Sequence, residues 1–133
     1  MFSQVASALL INPKKEILLQ LRDNKPGIAY PGYWGALGGH CNIGETPLQC
    51  LKRELKEEIG FIAGRTKLVG IFDDGLGNKV SLYKIKINKK IKDIKLNEGK
   101  KLGYFTFPEI IKLHSPKLFK EYLLANKKKI LCD

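Results

Sequence analysis

The sequence predicts an α/β fold, a mixed β-sheet flanked by helices. Three observations carry this. Short apolar runs stand both before and after one strongly amphipathic stretch, that stretch runs from Thr46 to Ile59 at helical spacing, and two proline-marked helix starts follow the last apolar run. At 133 residues the chain fits one domain, 1–133, with no internal repeat and no linker composition.

The elements follow in order. Met1 to Leu10 lacks the basic lead-in and cleavage-like site of a signal peptide and is read as opening a first strand, apolar from Val5 to Ile11. Asn12-Pro13-Lys14-Lys15 is a turn, and Ile17 to Leu21 is a second strand, so the pair predicts a β-hairpin. Asp23 to Tyr33 holds Pro26, Gly27, Pro31 and Gly32 and is a loop. Trp34 to Leu37 is a short strand end that Gly38-Gly39 is expected to break. Thr46 is a natural N-cap, Pro47 suits the first helical position, Gln49 completes a capping-box pattern and Gly60 suits the stop. Leu48, Leu51, Leu55 and Ile59 form the stripe expected to face the core. Lys67 to Phe72 and Val80 to Ile87 are strands around an Asp- and Gly-rich turn, and Lys89 to Asn97 is irregular. Leu102 to Phe107 is a last strand, Pro108 opens a short helix, and Ser115-Pro116 caps and starts a helix to about Asn126.

No apolar run approaches the roughly 18 residues of a membrane span, so no membrane partner is expected. The net charge is +11, yet only Arg22, Arg53 and Arg65 among the 24 basic residues are arginine. Phosphate and base readers lean on the planar fork of arginine. The lysines are therefore read as a solvated surface with at most mild attraction for polyanions, which makes an RNA partner possible but not favoured. Cys41, Cys50 and Cys132 are odd in number and form no C-x-x-C, so neither a disulfide framework nor a zinc site is indicated, and a reducing, cytoplasmic setting fits.

One segment concentrates chemistry. On the Thr46 to Ile59 helix, Glu54 and Glu58 lie four residues apart on one face, with Glu57 one turn from Glu54. The three acids flank the apolar stripe on one side, while Lys52 and Lys56 fall on the other. Stacked like charges cost a helix a few tenths of a kcal/mol, and a hard divalent cation removes that repulsion, since Mg²⁺ takes carboxylate oxygens together with substrate phosphate. The alternative is a solvated acidic face offset by Arg53 and the lysines. Glu45 precedes the helix and is placed to pair with Arg53, and Gly38-Gly39 permits close backbone approach.

The residues Gly39, Glu45, Arg53, Glu54, Leu55, Glu57, Glu58, Gly60 and Phe61 fill a pattern, G-x5-E-x7-R-E-U-x-E-E-x-G-U, that resembles the signature of the Nudix hydrolases. Seven fixed identities at set spacing arise by chance at roughly one site in 10⁸ to 10⁹. Two departures, Leu37 where many members have proline and Cys50 where a small residue is common, leave the acids intact. The resemblance implies an α/β/α sandwich and hydrolysis of a nucleoside diphosphate linked to another moiety, with Mg²⁺ or Mn²⁺. It implies Glu54 and Glu58 as metal ligands, Glu57 as a third acid, the Gly38 carbonyl as a backbone ligand, and Gly39, Glu45 and Arg53 as supporting residues. A further glutamate beyond the signature serves as ligand or general base in many members, and Glu98 matches it by position. Glu57, Glu58 or Glu98 would then take the proton from the attacking water.

The substrate is a small nucleotide on this reading, with Arg22, Tyr33 and Phe72 as candidate contacts. Tyr30, Trp34 and Tyr83 are further aromatics whose ordinary role is core packing. A non-catalytic nucleotide- or RNA-binding module and an RNA 5′-end pyrophosphohydrolase are the alternatives, and the oligomeric state is open.

Overall fold

A computed structural model of the chain describes residues 3–28, 30–97, 99 and 101–132. Among them seven strands form one mixed sheet: β1 (Ser3–Ile11), β2 (Ile17–Leu21), β3 (Trp34–Gly35), β4 (Leu37–His40), β5 (Thr66–Asp73), β6 (Asn78–Lys86) and β7 (Lys101–Phe105). The helices are α1 (Pro47–Ile59), α2 (Phe107–Lys112), α3 (Lys117–Ala125) and α4 (Lys127–Leu131), with a single 3-10 turn at Ile91–Asp93. The α/β class predicted from sequence stands.

Strand β1 organises the sheet. One edge pairs in parallel with β6 along its whole length, from Ser3 opposite Asn78 to Ile11 opposite Lys86. The other edge is shared. Its first half pairs antiparallel with β4, Ala6 opposite Gly39 and Ser7 opposite Gly38, and its second half with β2, Leu10 opposite Leu18. The predicted hairpin is therefore present, and β2 in turn carries β7 and β3. The parallel pairing fits burial on both faces. Leu10, Leu18, Leu37, Leu51 and Leu55 fill one core layer under α1, and Leu9, Ile17, Leu19, Leu82, Ile110 and Leu123 fill the other under α2 and α3.

The structure corrects five expectations. Gly38-Gly39 does not break a strand but lies inside β4, because only a bare backbone fits there: a Cβ on Gly38 would meet the Ala6 carbonyl oxygen at 2.1 Å. Phe107 is not the end of a strand. Thr106 caps α2 through a full capping box with Glu109, which turns the chain one residue earlier. Ser115 does not cap α3; the position before the helix is Pro116, and the buried Ser115 hydroxyl has no hydrogen-bond partner among the described residues. In α1 the fully buried residues are Cys50, Leu51 and Leu55, with Leu48 only half-buried. Helix α4 also lies beyond the predicted end near Asn126.

Candidate active site

The helix that carries the acids is fixed at both ends. Thr46 accepts from the Gln49 N–H at 3.1 Å, the Gln49 side chain accepts from the Thr46 N–H at 2.9 Å, and Gly60 closes the C-terminus in the left-handed conformation at φ 63°. Asn97 adds a tie from outside: its N–H donates to the Glu58 carbonyl at 2.7 Å and its side-chain amide to the Glu57 carbonyl at 3.0 Å. These bonds satisfy carbonyls that a helix end otherwise leaves orphaned.

The three acids of α1 have three different surroundings. Glu58 is 3% exposed. Its carboxylate accepts from the Gly38 backbone N–H at 2.9 Å and from the Gln20 side-chain amide, also at 2.9 Å, so strands β4 and β2 both orient it. Glu54, with a side chain 15% exposed, accepts from Arg53 Nη1 at 2.9 Å. Its carboxylate rests over Gly39, where a Cβ would come within 2.6 Å of it. Glu57, with a side chain 51% exposed, accepts from the same Arg53 nitrogen at 3.2 Å.

Arg53 is thus the hub. Its Nε and Nη2 donate to the two oxygens of Glu45 at 2.7 and 3.0 Å, the planar two-bond geometry that lysine lacks, and Nη2 also donates to the His40 carbonyl at 3.1 Å. Glu45 accepts further from the Asn42 N–H at 2.7 Å. Its carboxyl is held down at about 2, chiefly by the Arg53 guanidinium and then by the Asn42 amide. The Arg53 pKa is pushed up, first by Glu45, and it stays a cation. Beside it, burial first and then Cys41 push the Cys50 thiol up to about 12, so Cys50 is an inert packing group here.

Glu54, Glu58, Gly38 and Gly39 line one cleft of about 650 Å³. Gln20, Arg22 and Lys25 line it too, and its other walls include Tyr30, Trp34, Phe72 and Phe119. The Tyr30 hydroxyl donates to the Asp74 carbonyl at 3.3 Å, which ties the loop before β3 to the β5–β6 turn. Of the substrate candidates, Arg22 and Phe72 face this cleft, and the Phe72 ring stacks on Tyr122 with centroids 4.6 Å apart. Tyr33 does not line it. Its ring packs against His114 at 3.6 Å and Tyr30 at 5.4 Å. Tyr83 packs against the core under α1. Glu57 is also absent from the lining, and Glu98 lies outside the described residues.

Among the described residues no three His, Cys, Asp or Glu side chains converge as a ready-made metal cage. Of the four carboxylate residues that line the cleft, Asp23, Glu54, Glu58 and Asp74, it is Glu54 and Glu58 that sit against the Gly38-Gly39 floor. That set fits Mg²⁺ or Mn²⁺, hard ions that keep water and phosphate in their shells and need only one or two protein carboxylates. It does not fit zinc in a closed structural site.

A family model for the NUDIX domain matches residues 1–123. The chain belongs to the NUDIX domain family. Members of this family are generally pyrophosphohydrolases. An 8-oxo-dGTP diphosphatase of Haemophilus influenzae is 39% identical over an alignment of 69 positions that covers 49% of this chain and 46%, under half, of that relative's length. A MutT protein from Methanosarcina mazei superposes with a TM-score of 0.78 at 23% identity, covering 96% of this chain and 94% of that one. The NUDIX domain of Shewanella oneidensis NrtR, solved with ADP-ribose, gives a TM-score of 0.77 at 13% identity, covering 97% of this chain and 88% of that one. These similarities place the mixed sheet and its helices within the NUDIX fold.

Sequence reasoning missed Gln20 and Asn97. Gln20 left one trace in this NUDIX chain, a single amide inside the apolar run Ile17–Leu21, where a buried polar group must find a partner. Asn97 left none, since its partners are backbone carbonyls.

Proposed function

We propose that this NUDIX chain hydrolyses a phosphoanhydride bond in a nucleoside diphosphate linked to another group, such as a nucleoside triphosphate or a nucleotide sugar, with Mg²⁺ or Mn²⁺ as cofactor. The observation that carries the reading is the shared cleft: Glu54 and Glu58 over Gly38-Gly39 line the same hollow as Tyr30, Phe72 and Phe119. A pyrophosphate beside the acids leaves the base to the aromatic wall. When bound, a divalent ion supplies charge neutralisation for the pyrophosphate and a lowered pKa for the attacking water.

The chain's own residues do the rest. Gly38 N–H and Gln20 fix the rotamer of Glu58, and Arg53 with the Gly39 floor fixes Glu54, so both ligands are oriented before substrate arrives. Arg22 and Lys25 bring cations to the phosphates. Glu58, Glu57 or Glu98 accepts the proton of the attacking water. A cytoplasmic setting belongs to the same reading, supported by three free cysteines.

The test is phosphate and pyrophosphate release over a panel of 8-oxo-dGTP, ordinary nucleoside triphosphates, nucleotide sugars and ADP-ribose, with and without Mg²⁺. Metal-dependent turnover of at least one compound is expected, and Glu58→Gln lowers kcat by about 10²-fold or more, the scale of a lost charge-stabilising contact. Absence of turnover across the panel would favour a nucleotide-binding module.

A further inference from the structure

The fold gathers the basic residues that the sequence spreads. Four segments, 12–16, 65–67, 84–90 and 126–132, hold eleven basic residues and one acidic residue, and so +10 where the whole chain carries +11. Strand register brings the first three to one end of the sheet: Ile11 lies opposite both Ile17 and Lys86, Thr66 opposite Ile85, and Lys67 opposite Lys84. Helix α4 is pinned to the same end. The Lys84 ammonium donates to the carbonyls of Lys129, Ile130 and Cys132, the Lys15 ammonium to that of Leu131, and the Lys129 ammonium to that of Val69.

This end is not the cleft. The cleft takes Val5 and Ser7 from the first half of β1, Asn78 and Val80 from the start of β6, Phe72 from the end of β5 and Asp74 from the turn after it. Val80 lines the cleft and Lys86 belongs to the basic end, six residues further along the same strand, or about 20 Å at strand rise. Attraction of a small nucleotide into the cleft therefore does not account for the basic end.

The lysines here divide by task. Lys15, Lys84 and Lys129 satisfy carbonyls around α4, a structural use. Lys14, Lys67 and Lys128 are exposed and have no such use, while packing them beside the others raises local repulsion. Lysine binds phosphate as a point charge and lacks the planar fork that reads base edges, so a lysine surface suits a ligand whose negative charge repeats and whose bases are not read. A bilayer would also be drawn by charge, but the segments expose little apolar surface to insert. Of the large exposed apolar side chains none falls within the four segments, and Leu68, Ile91 and Leu124 border them singly, on three different elements.

We propose that this end of the sheet, built around α4, is a docking surface for the phosphate backbone of a nucleic acid, bound by charge and without base selectivity. The test uses a fluorescein-labelled 20-nucleotide RNA with a 5′-hydroxyl, in EDTA, so that neither a 5′-pyrophosphate nor a metal engages the cleft. Binding is followed by anisotropy between 50 and 200 mM salt. The intact protein is expected to bind with a steep negative salt slope. The triple variant Lys14→Gln, Lys67→Gln, Lys128→Gln is expected to lose about 2 units of that log–log slope, at about 0.7 per lysine for a single strand. A control with the same charge change elsewhere, Lys52→Gln, Lys56→Gln, Lys95→Gln, is expected to keep the slope, and saturating nucleotide is expected not to displace the RNA. Any one of three results overturns the proposal: no binding at 50 mM salt, equal loss in both triple variants, or binding only to vesicles containing 30% phosphatidylserine. The outcome is independent of turnover, so failure here leaves the hydrolase reading intact.

Discussion

Two adjacent glycines in β4 are predicted to fail in different ways when a methyl is added. A Cβ on Gly39 would sit 2.6 Å from the Glu54 carboxyl carbon and 2.7 Å from each carboxylate oxygen, and no other neighbour is so near. Non-bonded carbons rest about 3.5–4.0 Å apart, so the carboxylate must retreat by about 1 Å. It is the end of a flexible side chain, so it can move, at the cost of leaving its seat between Arg53 and the strand. Gly39→Ala is therefore expected to fold with a Tm close to that of the parent. A displacement of about 1 Å in a positioned catalytic group costs about 10²-fold in rate, and kcat should fall by that order. Gly38 is the contrast. Its Cβ would meet the Ala6 carbonyl oxygen at 2.1 Å and the Ser7 Cα at 2.7 Å, and its φ of +140° is foreign to L-residues. No flexible atom can give way there, so Gly38→Ala should destabilise by several kcal/mol and yield little folded protein. Circular-dichroism melting and steady-state hydrolysis of the best panel substrate check both. A Gly39→Ala enzyme within threefold of the parent kcat, or one that unfolds while Gly38→Ala stays folded, would refute the reasoning.

Two further outcomes follow from the side chains. The Glu45 carboxyl, held at about 2 by Arg53 and Asn42, should titrate near that value by carbon-detected NMR, and Arg53→Met should return it toward 4.5. The sign is fixed by the depressed folded value: Glu45 contributes its stabilisation in full above about pH 4.5 and loses it as the pH falls toward 2. Ser115→Ala removes a buried hydroxyl that has no partner among the described residues, so it should raise stability by about 1 kcal/mol, seen as a Tm increase of about 4 °C; a fall in Tm would show that the hydroxyl is satisfied.

The fold was legible wherever one residue carried one local signal. Thr46, Pro47, Gln49 and Gly60 each did in the structure what their chemistry suggests, so α1 was readable to within a residue. Gly38-Gly39 misled because a glycine pair signals a break locally, whereas its reason here is non-local: β1 on one side and the Glu54 carboxylate above leave no room for side chains. Ser115 misled in the opposite way, a natural cap displaced into the interior by the proline that follows it. Spacing put the three acids on one helix side but not their depth in the protein. That depth comes from β2 and β4, which lie 20 or more residues away and supply Gln20 and the Gly38 N–H.

The site also shows how a chain carries four clustered carboxylates. They divide between a shared cation and neutral donors. Arg53 spans Glu45, Glu54 and Glu57, and two neutral donors, a backbone N–H and an amide, serve Glu58. The division suits the burial. A buried charge served by neutral dipoles keeps its negative potential toward the cleft, while the more exposed acids are offset by a full positive charge. Glu58 and Glu54 both reach the cleft from the same helix, one seated by neutral donors of the sheet and the other by Arg53, and on the proposed reading they are the pair a hard cation would meet there.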